Sequence, residues 1–488
     1  MRPFPRSRST AGSWLPLAFL LAACATNPVT GRREVSLISQ DQEIQMGQQG
    51  AQQVAQEIGL VNDQALQNYV QQVGAGMAAK SERPNLPWSF RVIDDPTPNA
   101  FAFPGGFIFI TRGLLDMMNS EAELASVLGH EIGHVTAKHS VTQMSQQQLA
   151  QLGLGIGAIL SPTIAQYGNL AAQGLGLLFL KYGRDDERQA DDLGFRYSLS
   201  QNYDVREMDD VFRSLQRVGE ASQQSPLPTW LASHPGEAER IQSINAKIAQ
   251  MQPTQFANLR TNEREFMQRV DGLVYGANPR NGFFQGNTFY HPDLRFQISF
   301  PSGWKGQNLT QAVVGVSQQQ DAIIQLTLAQ GNSPEAAART FLSQQGIQAG
   351  QASSQTVNGV PAVASTFQAQ TEQGVIQGLA AFFTYNGATY QVLGYSPAQR
   401  YGAYADTFRG SLGSFKPVTD SRILNVQPNK IDVVTLPQAM SLAQFAQRYP
   451  SSIPLAELAI VNQVEDPNAQ IPAGTLLKQV AGGRAVGG

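Results

Sequence analysis

A single cysteine, Cys24, in 488 residues excludes any intrachain disulfide, so packing and non-covalent contacts alone must hold this chain. Charge is also scarce. Asp, Glu, Lys and Arg make up 15% of the residues, against about 25% in an average soluble protein. The formal net charge of −3 leaves no basic footprint for nucleic acid. The apolar runs at 14–23, 152–160 and 175–180, the last two divided by Ser161-Pro162, fall short of the roughly 20 residues that span a bilayer. What the chain does have is 42% apolar residues, ample for packed cores, and a length that allows about three domains.

The lone cysteine sits where it carries information. Arg2, Arg6 and Arg8 precede the apolar run from Trp14 to Ala23, which closes on Leu21-Ala22-Ala23-Cys24. A basic start, a short apolar stretch and small residues describe a secretory signal. The last four residues resemble a bacterial lipobox, in which the cysteine becomes the lipidated first residue of the mature chain. Ala25 in the next position resembles the outer-membrane sorting pattern. The expectation is a signal at 1–24 and a lipid anchor at Cys24, on the periplasmic face of the bacterial outer membrane.

The chemistry is concentrated at His130-Glu131-Ile132-Gly133-His134. Histidines at i and i+4 leave the same face of a helix, one turn apart, and together reach a single Zn²⁺ ion. Glu131 is rotated about 100° from His130 and can serve a water at that ion without binding the ion itself. Ser120 and Glu123 form a capping box that starts the helix. Leu124, Val127, Leu128, Ile132 and Val135 make an apolar stripe, opposite a small face of Ser126, Gly129, Gly133 and Ala137, so the helix should be buried all round. Glu131 falls within the stripe, where a carboxylate is costly without a compensating cation.

A further ligand has to come from a second element. Tyr182 to Asp191 supplies candidates; if 173–199 is helical, the face of Glu187 also carries Leu180, Gly183, Ala190, Asp191, Gly194 and Ser198. Most of these are small, which lets another helix approach closely. Asp191, one turn beyond Glu187, could accept the second ring N–H of a ligating histidine. Asp185, Asp186 and Asp192 read as a solvated face, and His139 and His291 as structural histidines directed elsewhere.

Taken together, His130-Glu-x-x-His134, Arg184-x-x-Glu187-x-x-Ala190-Asp191, Asn27-Pro-Val-Thr-Gly-Arg32, Asn99-Ala-Phe-Ala-Phe-Pro-Gly-Gly106 and His234-Pro235 with Arg240 resemble the gluzincin metallopeptidases of the HtpX and prenyl-protease type, family M-forty-eight. The resemblance is greatest to their periplasmic lipoprotein branch and covers about residues 27–250. It implies one zinc held by His130, His134 and Glu187, Glu131 as general base, and Arg184 and Asp191 supporting the ligands. Gly183 departs from the serine that many relatives carry before the arginine, without touching a ligand. Ser233-His234-Pro235 opens a helix over about 237–250, and His234 is either a helix-start histidine or a group that reaches the open position of the zinc. Asn99, Ala100 and Phe101 are the expected edge along which an extended substrate adds.

Downstream, 253–289 reads as a linker. Residues 290–418 alternate strand and helix patterns, an α+β domain that weakly resembles PsbP through Phe300-Pro-Ser-Gly-Trp304. Residues 428–482 resemble a degenerate LysM module, in which Ala439-Met440 replaces the usual Gly-Asp; in relatives such modules bind peptidoglycan. The expectation is therefore a multidomain α+β chain: a mainly helical gluzincin protease domain with a small sheet at 25–252, the PsbP-like domain, and a small α/β module. Its expected activity is that of a zinc endopeptidase that cleaves unfolded or misassembled envelope proteins. The rivals are a periplasmic chaperone or assembly factor with a regulatory zinc site, and a wall-binding scaffold.

Overall fold

The structure is a computed structural model that describes residues 24–151, 181–221, 230, 233–309, 311–371 and 374–483. Residues 1–23 of the expected signal and the apolar runs at 152–160 and 175–180 lie outside the described residues. No helix among the described residues is long and apolar enough to cross a membrane. Two compact units form, one of Met1–Asp271, Val433–Gln447 and Leu455–Lys478, the other of Gly272–Asp432, Arg448–Pro454 and Gln479–Gly488.

The first unit begins with two short paired strands, β1 (Cys24–Thr26) and β2 (Arg33–Val35). Helices α1 (Gln40–Glu57) and α2 (Gln64–Ala78) follow, capped by Ser39 and Asp63. Strands β3 (Ser89–Ile93), β4 (Ala100–Phe103) and β5 (Phe107–Thr111) form a sheet in the order β3-β5-β4. β5 runs parallel to β3 and antiparallel to β4, so β4 ends the sheet. A one-turn helix, α3 (Arg112–Leu115), leads into α4 (Glu121–Thr136), which carries the His-Glu-x-x-His stretch. Beyond it lie α5 (His139–Gln151), α6 (Arg184–Ser200), α7 (Glu207–Ala221), α8 (Glu237–Gln250) and α9 (Glu263–Val270).

Every residue of α4 is buried, so both of its ends need polar partners inside the protein. At the N-terminus the Ser120 hydroxyl accepts from Glu123 N at 3.1 Å, while the Glu123 carboxylate accepts from Asn119 N. Glu121, in the positive first turn, accepts from the hydroxyls of Tyr69 and Tyr203 at 2.7 and 2.8 Å. At the C-terminus Arg83, ion-paired to Glu43, donates to Val135 O at 2.9 Å, and Asn27 Nδ2 donates to Ala137 O at 3.0 Å. The Asn-Pro-Val-Thr-Gly-Arg stretch thus has a physical role: Asn27 Oδ1 closes a local turn on Val29 N and Thr30 N while its amide caps the helix.

The small face of α4 is covered by α6, backbone against backbone. A Cβ added to Gly194 would stand 2.8 Å from His130 N, and one added to Gly133 would stand 3.0 Å from Ala190 Cα. In an exposed helix, Gly→Ala gains roughly 1 kcal/mol. Here the clash is with backbone that cannot rotate away, and overpacking of this kind costs about 1–3 kcal/mol. Gly194→Ala should therefore lower the thermal midpoint, measured by circular dichroism; a midpoint raised by the helix-propensity gain would contradict the close approach.

Three expectations need correction at this level. The helix expected from 173 begins at Arg184, because Gly183 is its cap and donates its N–H to Asp186 Oδ2 at 3.1 Å. The supposed linker contains α9, whose Phe266, Met267 and Val270 are buried; a short, charge-rich apolar face was easy to pass over. The C-terminal stretch forms a strand (Asn429–Thr435), helices Leu442–Arg448 and Leu455–Val461, and a strand (Leu476–Gly482). Much of it belongs to the first unit, where helix Leu455–Val461 packs on α7.

The second unit is built on an eight-stranded antiparallel sheet, with its long strands at Val360–Thr371, Gly374–Tyr385 and Ala388–Pro397. Alternation sends Ala381 and Phe383 to one face, with Phe296, Phe408 and Phe415, and Ala380 and Phe382 to the other, with Ala337 and Ala338. Helices Tyr401–Leu412 and Pro334–Leu342 cover these faces. The chain is thus multidomain and mixed α and β, a helical unit with a small sheet followed by a sheet-rich one.

Candidate metal centre

Helix α4 projects His130 and His134 together, with their Nε2 atoms 3.0 Å apart. Because α6 lies against the glycines of α4, Glu187 reaches the same point. Its Oε2 is 3.5 Å from His130 Nε2 and its Oε1 is 3.5 Å from His134 Nε2. His234, just before α8, brings Nδ1 to 3.0 Å from Glu187 Oε1 and 3.3 Å from His130 Nε2. Atoms about 2.0–2.1 Å from a tetrahedral zinc stand about 3.3–3.4 Å from one another. The four donor atoms lie within 4.8 Å of one another, close enough to share one ion, and their nitrogen and carboxylate chemistry suits zinc.

Electrostatics point the same way. Burial, reinforced by the Arg240 guanidinium, pushes the His130 imidazole down to about 4. Burial and the neighbouring imidazoles push His134 well below its usual value, and burial with Arg240 does the same to His234. All three are neutral at neutral pH, the form that binds a metal. Burial raises the Glu187 carboxyl to about 7 against the opposing pull of His130 and Arg240.

Glu131 is fully buried, and neither of its carboxylate oxygens has a hydrogen-bond partner among the described residues. The neutral His234 ring brings Nε2 to 3.7 Å from its Oε1. Burial, then repulsion from Glu187, holds its pKa well above the usual carboxylate range. A carboxylate left without partners in a core needs a function or a cation to justify it.

Asp191 accepts the Nδ1–H of His130 at 2.9 Å, which leaves His130 Nε2 as the free lone pair. Burial opposes its charge, but Arg240 and His130 more than offset this and keep its carboxyl below the usual range. Arg240 grips both Asp191 oxygens at 2.7 and 2.8 Å and also meets Glu187 Oε2 at 3.1 Å. The place expected for Arg184 is therefore taken by Arg240. Arg184 lies at the surface and pairs with exposed Glu239 at 3.4 Å, because the first turn of α6 faces outward. His139, read as directed elsewhere, has Nδ1 only 2.9 Å from His134 Nδ1. Two further rings escaped notice: Tyr182 stacks on His134 at 3.9 Å and Trp230 on His234 at 4.1 Å. No local pattern marks them, since the folding of separate segments brings them together.

Asn99 and Thr111 tie β4 to β5 through Asn99 N, Asn99 O and the Thr111 hydroxyl. In an antiparallel ladder the next residues alternate, so the N–H and C=O groups of Ala100 and Ala102 point away from β5. Both residues are buried, and α4 packs against this strand.

Comparison with known proteins agrees with this geometry. Residues 64–248 match the model of peptidase family M48. The beta-barrel assembly-enhancing protease of Escherichia coli is 29% identical over 238 residues, which is 47% of this chain and 48% of that one. The mitochondrial metalloendopeptidase OMA1 of Schizosaccharomyces pombe is 28% identical over 235 residues, 46% of this chain and 66% of that one. The chain spans about half the length of the first of these curated relatives. The solution structure of cyanobacterial PsbP from Synechocystis is 15% identical, covering 27% of this chain and 91% of its own, with a TM-score of 0.23, too low to carry an argument. The matched stretch, residues 64–248, includes every residue of the cluster, from His130 to Arg240.

Proposed function

We propose that this protein is a zinc-dependent endopeptidase, anchored by Cys24 in the cell envelope, that cleaves unfolded or misassembled envelope proteins. The observation that carries the peptidase reading is the convergence of four donor atoms beside the unpartnered Glu131 carboxylate. His130, His134 and Glu187 would hold the metal, with His234 as a further donor beside them. When bound there, zinc supplies a Lewis acid that polarises a peptide carbonyl and makes a water molecule more acidic.

The chain's own groups do the rest. The Glu131 carboxylate takes the proton of the attacking water as the C–O bond forms, and delivers it to the amide nitrogen as the C–N bond breaks. Its raised proton affinity suits both transfers. His234 Nε2, 3.7 Å from Glu131, stands where it can donate to the developing oxyanion. The substrate backbone adds along Ala100 and Ala102 of β4. Because the ligands and this edge are buried, the covering chain must give way before a peptide binds.

The envelope location rests on the lipobox-like Leu21-Ala-Ala-Cys24, and the substrate class on the M48 relatives whose printed name is beta-barrel assembly-enhancing protease. A contact between the C-terminal segment and peptidoglycan rests on its LysM-like pattern alone. Metal analysis should find one zinc per chain. Chelation should abolish casein cleavage, and added zinc should restore it. Undiminished cleavage by the metal-free protein would end the peptidase reading.

A further inference from the structure

His134 differs from His130 in what holds its second nitrogen. His130 has the Asp191 carboxylate. His134 has another imidazole, His139, whose Nδ1 lies 2.9 Å from His134 Nδ1. Two nitrogens at that distance share one proton, and which ring carries it decides whether His134 can bind a metal. If His139 donates, the proton of neutral His134 must sit on Nε2, the atom turned toward Glu187 and His130, and no lone pair faces the cluster. If His134 donates, Nε2 is free.

The far side of His139 settles the direction. Its Nε2 faces Gln189 Oε1 at 2.8 Å and Asp186 Oδ1 at 3.7 Å, both acceptors. The His139 proton therefore sits on Nε2, its Nδ1 is left as an acceptor, and His134 must donate from Nδ1. Tyr182, stacked 3.9 Å from His134 and hydrogen-bonded to the Ser140 hydroxyl at 2.8 Å, fixes the plane of the ring. The local backbone makes this possible. α4 ends at Thr136, Lys138 adopts a left-handed φ of 60°, and α5 starts at His139. An uninterrupted helix would have carried His139 about 140° around the axis from His134.

We propose that His139 and Gln189 are positioning residues that hold His134 as its Nδ1–H tautomer, with Nε2 aimed at the metal. The proposal rests on the zinc reading. Gln189 stands on α6, two residues after Glu187, so the helix that supplies the carboxylate ligand also sets the proton position of a histidine ligand on α4. The chain Gln189–His139–His134 thereby couples the two helices through the cluster.

The test uses the full chain and reads zinc affinity by competition with a chelating dye, together with ¹⁵N NMR of the His134 ring in metal-free protein. Wild type should show the Nδ1–H tautomer. His139→Leu and Gln189→Leu should each shift the ring toward the Nε2–H tautomer and weaken zinc binding about 10–100-fold. His139→Asn and Gln189→Glu keep an acceptor in place, so each should bind zinc within a few-fold of wild type. Leucine variants that fold and bind zinc as wild type would overturn the proposal, as would an Asn variant as impaired as the Leu variant. A wild-type chain that binds no zinc would instead bring down the zinc reading, whatever the tautomer.

Discussion

Glu131→Gln should leave zinc content unchanged and lower casein cleavage by about a hundredfold to ten-thousandfold, the range associated with one positioned general base. Glutamine has the size and shape of glutamate but cannot take a proton from water. Since Glu131 lies outside the set of donor atoms that converge, the ligands should be undisturbed. The two residues also differ in stability, with a sign that can be checked. Burial raises the Glu131 pKa in the folded chain, so the folded state holds its proton more tightly than the unfolded state does. Its contribution is fully present below the ordinary glutamate pKa and falls away as pH rises toward the higher folded value. In metal-free protein the Gln variant should therefore lose less stability than wild type between about pH 4.5 and 7, and melt higher at neutral pH. Cleavage within a few-fold of wild type by the Gln variant, with zinc bound, would remove Glu131 from the mechanism.

How much of this was legible in the sequence depended on distance along the chain. The Ser120 cap of α4 and its buried, small-faced character follow from local pattern and are present, but the Glu123 carboxylate accepts from Asn119 N and not from the Ser120 N of the expected capping box. Periodicity places Glu187 on a face of small residues, but its choice as a ligand rests on the family resemblance; the structure brings its carboxylate to 3.5 Å from both histidines. What the pattern could not supply were partners fixed by a break in that periodicity or by a third segment. His139 was misjudged because Lys138 turns the chain through a left-handed residue, which nothing in the residue type of lysine announces. Arg240 enters from α8, about 50 residues beyond Asp191, whereas the resemblance through Arg184-x-x-Glu187 implies Arg184. The same limit hid the depth of the site: that His234 would be buried against Trp230 depends on how distant segments close over it.

Lys478→Met should destabilise the protein by about 3–5 kcal/mol, the usual effect of leaving buried charges without their partner. In the strand Leu476–Gly482 a lysine reads as a surface residue, yet this one is fully buried. Its ammonium donates to Asp116 O at 2.8 Å and to Met118 O, just ahead of α4. Its backbone is held by Asn462, and the neighbouring Gln463 donates to Met117 O at 3.0 Å and Glu123 Oε2 at 2.6 Å. Burial pushes the Asp116 and Glu123 carboxyls up and the Lys478 ammonium down, while the opposite charges pull each of them back. Methionine keeps the volume but leaves two carbonyls without their donor and takes a nearby cation from Glu123, while Asp116 keeps Arg112. At about 2–4 °C per kcal/mol for a unit of this size, the midpoint should fall by roughly 6–20 °C. Lys478→Met with Glu123→Gln should lose less than the sum of the single changes, since the second removes a charge that the first stranded. A free-standing C-terminal module would behave differently: the peptidase unit would melt unchanged, within about 1 °C of wild type. The contacts of Lys478 and Gln463 argue against that outcome, because they fix the lead-in and first turn of the helix whose third and fourth turns present His130 and His134. The C-terminal segment thus serves the metal centre by holding the start of α4, whether or not it binds glycan.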